Sequence, residues 1–278
     1  MSRNIEKYKN IDKSLGPVST LLIQKLSKAG MTVFTTKDAL NLIDLDARNL
    51  NKIIYTLVAK GWIRRIEKGK YVLVPIGIDS SEPYTENHYI IASKLVNPYY
   101  IGFWSALHFY GYTEQLLNTI FIVSTKRKNN LLQSGVNYKF IKMKPRSFLG
   151  MAEIKFGKMN VNFSDKEKTL VDCLAHPKYC GGIQEIIKGL WKAKEEINFE
   201  KIIDYAQKMG NSAIFKRLGY LLECLELKDY LDIDYLKRQV KSGYSVLDPL
   251  MPRKGNFNSD WNLLINVPKE DLISFKKA

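Results

Sequence analysis

The stretch from residue 46 to residue 74 constrains the fold of this chain more than any other. Residues 47–61 read ARNLNKIIYTLVAKG, and residues 62–74 read WIRRIEKGKYVLV. In the first part, apolar residues recur at the i, i+3, i+4, i+7 and i+8 spacing that places them on one face of a helix. The second part is two strand-like runs joined by a Glu-Lys-Gly turn, in which glycine supplies a conformation that other residues resist. A helix followed directly by a hairpin with a basic tip is typical of a winged helix-turn-helix.

The polar face of this helix has the composition of a surface that reads DNA. Its apolar stripe consists of Leu50, Ile53, Ile54, Leu57 and Val58. At about 100° per residue, the opposite face consists of Arg48, Asn49, Asn51, Lys52 and Tyr55. Arginine suits guanine edges, asparagine suits adenine edges, and lysine and tyrosine suit phosphates. A merely solvated face explains Lys52 but not the absence of Asp and Glu, so we interpret these five residues as the DNA contacts of a recognition helix.

The flanking segments complete the predicted DNA-binding domain. Asp46 is a favourable N-cap for the recognition helix, and two shorter helices are predicted upstream, at about residues 17–29 and 37–43. The hairpin carries four cations that suit phosphate contact or a minor-groove reach, namely Arg64, Arg65, Lys68 and Lys70. We therefore predict a winged helix-turn-helix domain over residues 14–76, preceded by a basic arm at residues 1–13.

The net charge of +15 is concentrated in two segments. Residues 1–75 contain 14 Lys/Arg and 6 Asp/Glu, and residues 126–158 contain 9 Lys/Arg and one Glu, so each segment has a net charge of +8. The remaining residues sum to −1. Charge collected in this way indicates an interaction surface for phosphates, whereas evenly spread charge mostly serves solubility.

The second basic segment is a candidate second DNA-binding surface. Its cations lie in a turn and in the hairpin loops of a predicted small sheet, and the candidates are Lys126, Arg127, Lys128, Lys142, Lys144 and Arg146. Solvated lysines without a partner are the alternative for each residue taken singly. An RNA-binding surface is a weaker alternative, because few aromatic residues in this segment lie at positions expected to be exposed.

The rest of the chain predicts a larger mixed domain, which gives an α+β fold overall. A linker at residues 77–85 separates it from the winged helix, and the domain itself spans residues 86–278. Its first half is a small sheet with helices, including strands at about residues 119–124, 137–142 and 152–163. Its second half is helical, and the first of those helices is expected to start with Ser164 as N-cap and Glu167 as the N3 residue of a capping box. Beyond residue 245 we expect a loose tail.

Several functional classes are disfavoured. No apolar run approaches the roughly 20 residues that span a bilayer, and the polar N-terminus lacks the apolar core of a signal peptide, so we expect a cytoplasmic protein without membrane association. No phosphate loop, HExxH or GxSxG motif is present, which favours a non-enzyme without a cofactor. A group formed by Cys173, His176, Cys180 and Cys224 is spaced too loosely for a typical zinc site, and we expect no metal.

Several motifs of the larger domain resemble AbiEi-type antitoxins, which are bacterial and archaeal regulators of toxin–antitoxin operons. The resemblance covers most of residues 15–265 and rests on the order and spacing of these motifs. They are YYIGFWSALHFYGYTEQLLNTIFIVS at residues 99–124, SDKEKTLVD at residues 164–172, CGG at residues 180–182, RLGYLLE at residues 217–223 and LDP at residues 247–249.

The resemblance implies a division of labour between two domains. The winged helix would bind inverted repeats in the operon's own promoter, as a monomer or a dimer on double-stranded DNA. The C-terminal domain would counteract a nucleotidyltransferase-like toxin without forming a stable complex with it, as in type IV systems. An orphan winged-helix regulator without a toxin partner is the alternative. Carried over by position, the DNA contacts would be Arg48, Asn49, Asn51, Lys52 and Tyr55 on the helix, with Arg64 and Lys68 on the wing.

Overall fold

The structure is a computed structural model that describes residues 14–75, 86–115 and 118–277. The basic arm and the linker expected at residues 77–85 lie outside the described residues. The chain divides into two compact units. The first comprises residues 1–97 together with the short segments 133–135 and 155–161, and the second comprises the rest of the chain.

The first unit folds as a winged helix-turn-helix followed by one further helix. Its elements are α1 (Pro17–Lys28), β1 (Val33–Thr35), α2 (Thr36–Leu42), α3 (Ala47–Ala59), β2 (Ile63–Glu67), β3 (Lys70–Leu73) and α4 (His88–Leu95). The three strands form an antiparallel sheet in the order β1-β3-β2. Leu22 and Leu26 of α1, Phe34 of β1 and Leu50 and Leu57 of α3 are fully buried and form its core. The mixed fold class with an N-terminal winged helix is thereby confirmed.

Helix α4 groups with the first unit, which differs from the sequence-based boundary at residue 86. The Lys94 ammonium lies 3.0 Å from an Asp38 carboxylate oxygen, and the Lys70 ammonium donates to the carbonyl of Leu95, the last residue of α4. The helix packs against β1 and β3. Its three consecutive apolar residues, Ile90 to Ala92, do not show a one-sided pattern, so the sequence did not indicate which neighbour covers it.

The second unit combines a six-stranded sheet with a set of helices. Its elements begin with β4 (Tyr100–Ile101), α5 (Phe103–Phe109), β5 (Thr119–Ser124), β6 (Leu131–Gln133), β7 (Val136–Lys142), β8 (Met151–Phe156) and β9 (Met159–Ser164). Parts of β6, β8 and β9 fall within the short segments counted with the first unit. Among the described residues, the strand order is β6-β7-β5-β4-β9-β8, with β5 parallel to β7. The single strand expected at residues 152–163 is wrong. Gly157, with a φ of 60°, turns the chain there and splits the segment into the hairpin β8–β9.

The half of this domain that follows the sheet is helical, as expected from the sequence. Its helices are α6 (Lys166–Ala175), α7 (Ile183–Ala193), α8 (Phe199–Met209), α9 (Ser212–Leu225) and α10 (Ile233–Arg238). Helix α6 is the innermost, because every residue from Glu167 to Ala175 is buried. None of the helices in the described ranges is both long enough and apolar enough to cross a bilayer.

The start of α6 differs from the expected capping box by one residue. The N-cap is Asp165, whose carboxylate accepts from the Lys168 amide at 2.8 Å. Ser164 instead ends β9, and its hydroxyl bonds to that of Thr169 at 2.7 Å. Glu167 is drawn away from the helix start, because it accepts from the Asn198 amide at 3.0 Å and from the Lys201 ammonium at 2.9 Å.

A charged network lies at the centre of the second unit. Lys168 and Asp172, one turn apart on α6, form an ion pair in which neither side chain is exposed. The hydroxyl of Tyr100 on β4 donates to the other Asp172 oxygen at 2.8 Å and accepts from the Lys168 ammonium at 3.1 Å. Burial, reinforced by the charge of Asp172, raises the pKa of Tyr100 well above its ordinary value. Asp172 therefore belongs to the core of the second unit and not to its surface.

The segment beyond residue 245 is a small sheet and not a loose tail. Strands β10 (Ser245–Val246), β11 (Asn256–Asn258) and β12 (Leu263–Ile265) lie in the order β10-β12-β11, and helix α11 (Lys269–Leu272) follows. Trp261, in the turn between β11 and β12, is fully buried, and its ring nitrogen donates to Glu223 at 2.9 Å. Strands of two or three residues are too short to show an alternating pattern, which is why the sequence did not indicate them.

Removing one partner of the buried ion pair is expected to destabilise the protein strongly. The substitution Asp172→Leu leaves an uncompensated ammonium in the core, and we expect it to lower the free energy of unfolding by about 3–5 kcal/mol. The double substitution Lys168→Met with Asp172→Leu removes both charges, and we expect it to restore most of that loss. Urea unfolding of the three proteins measures both effects. Equal losses in the single and double variants would show that packing, not charge, dominates.

Candidate nucleic-acid interface

Helix α3 is fixed at its start by a cap and along one side by the core. Asp46 is the N-cap, and its carboxylate accepts from the Asn49 amide at 2.9 Å. That hydrogen bond is the largest cause that lowers the pKa of Asp46 below its ordinary value of 3.8. Leu50, Ile54 and Leu57 are buried on the inner side of the helix. Val58, expected in the same stripe, is 37% exposed because it lies at the margin of that side.

The outer side of α3 carries the residues expected to contact DNA. Arg48, Asn51, Lys52 and Tyr55 are all exposed, and Tyr55 is 77% exposed. Within the described residues, the structure shows no ion pair for Arg48 or Lys52 and no side-chain hydrogen bond for Asn51. The face therefore offers a guanidinium, an amide, an ammonium and a phenol that can bind an external partner.

Asn49 is exposed as expected, but its amide group is committed to the helix cap. The Asn49 side-chain nitrogen donates to the second Asp46 carboxylate oxygen at 2.6 Å. A bidentate contact with adenine needs both the donor and the acceptor of an asparagine side chain. The structure therefore favours Asn51 over Asn49 as the residue that reads a base edge.

Two of the four cations expected on the wing are exposed to solvent. Arg65 and Lys68 are exposed, whereas Arg64 is half-buried. Lys70 is also half-buried, and its ammonium lies 2.7 Å from Glu67 in addition to its bond with the Leu95 carbonyl. The prediction treated Lys70 as a phosphate ligand, and the structure instead turns its side chain toward α4. The exposed charge of the wing is thus concentrated at Arg65 and Lys68.

Lys37 is a candidate contact that the sequence analysis did not single out. It is exposed in the first turn of α2, and the preceding Thr36 donates its amide to the carbonyl of Gly69 in the wing turn at 2.9 Å. The start of α2 therefore lies beside the wing tip. A lysine at a helix N-terminus interacts unfavourably with the helix dipole. This unfavourable position is the feature of the sequence that could have indicated a functional role for Lys37.

The candidate cations of the second basic segment lie at one end of the sheet in the second unit, where strands β5 and β7 finish. Strands β5 and β7 are parallel, with Ser124 in register with Lys142, so their C-terminal ends lie side by side. Lys126 and Arg127 follow the end of β5, and Lys142, Lys144 and Arg146 lie at and beyond the end of β7, all of them exposed. Lys128 is half-buried, with its ammonium 5.2 Å from the Phe140 ring. The structure therefore gathers candidates that are up to 20 residues apart in sequence.

The cysteine and histidine group does not assemble into a site. Cys173 and Cys180 are fully buried, and burial raises the pKa of the Cys180 thiol well above its ordinary value. Burial also lowers the pKa of His176. Over the residues that the structure describes, no three side chains of His, Cys, Asp or Glu are placed to hold a metal ion.

Comparisons with known proteins agree with the winged-helix assignment. Residues 22–74, from α1 to the end of the wing, match the family described as "Transcriptional regulator, AbiEi antitoxin". The predicted resemblance to AbiEi antitoxins is confirmed. The match supports a DNA-binding transcriptional regulator from a toxin–antitoxin context. It ends at residue 74, so the AbiEi-like motifs of the second unit lie outside the matched segment.

The fold of the whole chain also has a counterpart among solved structures. The crystal structure of the RV2827C protein from Mycobacterium tuberculosis superimposes with a TM-score of 0.65 at 15% identity, covering 96% of this chain and 97% of that chain. At this identity the likeness concerns the fold alone. A comparison with curated proteins finds no match.

The cap of α3 is expected to contribute stability in a pH-dependent way. Because the pKa of Asp46 is depressed in the folded state, its cap stabilises the fold above the ordinary value of 3.8 and loses this effect as the pH falls through the folded value. We expect Asp46→Ala to lower the melting temperature at neutral pH more than Asp44→Ala, which removes an exposed carboxylate outside the cap. The difference between the two variants should shrink below pH 3.8. A difference that persists there would contradict the capping role.

Proposed function

We propose that this protein is a transcriptional repressor that binds inverted repeats in the promoter of its own toxin–antitoxin operon. The observation that carries the proposal is the exposed face of α3, which displays Arg48, Asn51, Lys52 and Tyr55 within the segment that matches the AbiEi family. No acidic residue interrupts this face. A protein that reads promoter DNA acts in the cytoplasm by occupancy, and the proposal assigns it no catalytic step and no cofactor.

The binding mode follows from the geometry of a winged helix. Helix α3 would enter the major groove, where Arg48 and Asn51 reach base edges. Lys52 and Tyr55 would contact phosphates on the groove walls, and Arg65 and Lys68 would place the wing against the neighbouring backbone. The two basic segments would also attract the polyanion at long range, which raises the association rate.

The second unit has a separate role in the proposal. The AbiEi match supports a toxin–antitoxin context, and we assign to the second unit the ability to counteract a nucleotidyltransferase-like toxin without a stable complex. The alternative is an orphan regulator without such a partner. An operon that lacks an adjacent toxin gene would favour the alternative.

Substitutions on α3 test the recognition face. We expect Arg48→Ala and Asn51→Ala each to weaken operator binding by about 1–3 kcal/mol and to relax base preference at one position. Both residues are exposed, so the melting temperature should hold. Gln24→Ala, an exposed amide on α1, is the matched control and should bind like the parent. Parent-like binding by both α3 variants at fixed salt would refute the assignment.

The same variants separate repression from protection against the toxin. If the second unit counteracts the toxin, full-length Arg48→Ala should lose repression and still allow growth when the adjacent toxin is expressed from an unrelated promoter. Growth arrest would show that protection requires DNA binding and would remove the separate role of the second unit.

The salt dependence of binding tests the second basic surface. Each phosphate contact contributes about 0.9 to the slope of log K against log salt. We expect the triple substitution of Lys142, Lys144 and Arg146 to alanine to lower this slope by about 0.9 for each cation that contacts a phosphate. The control replaces Lys188, Lys192 and Lys208, which removes the same charge from lysines that are already ion-paired with glutamate or aspartate. Equal slopes in the two triple variants would show that the surface acts only through net charge.

A further inference from the structure

The last turn of α4 is bonded to two of the elements that the proposed function places on DNA. The Lys94 ammonium lies 3.0 Å from the Asp38 carboxylate in the first turn of α2. The carbonyl of the next residue, Leu95, accepts from the Lys70 ammonium at the base of the wing. We call these two bonds the α4 contacts. Through them, two consecutive residues of one helix hold both α2 and the wing.

The α4 contacts are sheltered from solvent, and each is shared with a further partner. The side chains of Lys94, Asp38 and Lys70 are 21%, 24% and 20% exposed. The Asp38 oxygen that meets Lys94 also accepts from the Thr35 amide at 2.8 Å, within the capping box that starts α2. The Lys70 ammonium also lies 2.7 Å from Glu67 across the wing turn. Salt screens partly buried pairs less than exposed ones, so the α4 contacts are expected to persist at physiological ionic strength.

Apolar packing fixes α4 behind these contacts. Ile91, Ala92 and Leu95 are almost fully buried, and the helix packs against β1 and β3. The pairing of β1 with β3 ends where Thr35 lies opposite Lys70. Beyond that point the wing is a two-stranded hairpin, which is only marginally stable without a further packing partner. Helix α4 therefore supports the wing at the point where it leaves the three-stranded sheet.

Two exposed cations lie next to the α4 contacts. Lys37 is in the first turn of α2, and Lys68 is in the wing turn. Both are exposed, and neither forms an ion pair within the described residues. The Thr36 amide donates to the Gly69 carbonyl at 2.9 Å, so the segments that carry the two lysines lie side by side. The placement of both ammonium groups therefore depends on elements that α4 holds.

We propose that Lys94, Asp38 and Lys70 are positioning residues that hold Lys37 and Lys68 against one phosphate backbone of the operator. The inference rests on the proposed function, because it requires that α2 and the wing face DNA. Phosphate contacts fix the orientation of a protein on the duplex. Ordering the two cations before binding lowers the entropy that is lost on contact. Lys70 thus contributes to DNA binding through the α4 contacts and not as a phosphate ligand.

Breaking one ion pair from each of its two sides tests the proposal. Asp38→Asn removes a negative charge and keeps an acceptor for the Thr35 amide, whereas Lys94→Gln removes a positive charge. If only charge mattered, the first full-length variant would bind the operator more tightly and the second more weakly. We expect both to bind more weakly, by about two- to tenfold, the lower part of the range for residues that share a hydrogen-bond network.

Two matched controls report the effect of charge alone. Asp44→Asn removes an exposed carboxylate in the turn before α3, and this variant should bind at least as tightly as the parent. Lys25→Gln removes an ammonium that donates to the Leu42 carbonyl at the other end of α2, at 2.7 Å. Its loss of affinity should be smaller than that of Lys94→Gln. Because Lys94→Gln leaves the capping box intact, this comparison decides the question if Asp38→Asn does not fold.

A background that lacks the two exposed cations separates positioning from a general structural role. In a protein with Lys37→Ala and Lys68→Ala, the changes Asp38→Asn and Lys94→Gln should each alter operator affinity by less than about twofold, because their effect acts through the missing cations. A structural defect in the domain would instead weaken binding by the same factor in both backgrounds.

Amide hydrogen exchange provides a measurement without DNA. Exchange of the Thr36 amide, which donates to the Gly69 carbonyl, should quicken by about two- to tenfold in Asp38→Asn and Lys94→Gln, because exchange reports the free energy of local opening. It should stay at the parent rate in Lys25→Gln.

Three results would overturn the proposal. They are opposite changes of operator affinity in the two ion-pair variants, an undiminished loss in the background without the exposed cations, and unchanged exchange at Thr36. Any of them together with weakened binding by Arg48→Ala would remove the positioning role and leave the proposed function in place. Quickened exchange in a parent protein that binds no operator would have the reverse meaning, because the α4 contacts would then hold the wing without serving DNA binding.

Discussion

The buried ion pair between Lys168 and Asp172 is the interaction on which the second unit depends. Two charges removed from water cost several kcal/mol each unless their geometry and remaining hydrogen bonds compensate for the lost hydration. Here the compensation comes from outside the helix, because the Tyr100 hydroxyl on β4 bonds to both groups. A shift of α6 along β4 would break these bonds and leave a charge unpaired. The ion pair therefore fixes the position of α6 along β4. Apolar packing alone would fix this position less precisely.

The motifs behind the resemblance meet in space and have structural roles. Asp248 of the LDP motif accepts from the amide of Ile183 at the start of α7, directly after the CGG motif. Arg217 of the RLGYLLE motif donates to the carbonyls of Leu174, Val246 and Leu247. At Gly219 a Cβ atom would lie 2.0 Å from the buried Trp261 ring. These residues close the core around α6, so a resemblance built on them indicates the fold more directly than any activity.

The elements that could be predicted are those whose structure is determined by a short local sequence pattern. Helix α3 has a one-sided apolar pattern and an aspartate cap, and the wing has a glycine turn, so neither needs information from elsewhere in the chain. The structure differs from the prediction where a side chain binds a partner distant in sequence, or where an element starts one residue later than expected. The Lys70 ammonium donates a hydrogen bond to the carbonyl of Leu95. The Asn49 side chain donates to Asp46, the N-cap that the sequence predicted. The strands beyond residue 245 are stabilised by the burial of Trp261, which no short pattern shows.

The cations of the two basic surfaces differ from several lysines of the helical half in having no acidic partner. In the second unit, Lys192, Lys201 and Lys208 face glutamates or aspartates and are neutralised locally. Arg48 and Lys52 on α3, and Lys142 and Arg146 beside β7, have no such partner within the described residues. Because unpaired charges add their fields while paired ones largely cancel, these cations contribute more to the potential outside the protein than the paired lysines do. A polyanion would therefore be attracted to them in preference to the lysine-rich helices.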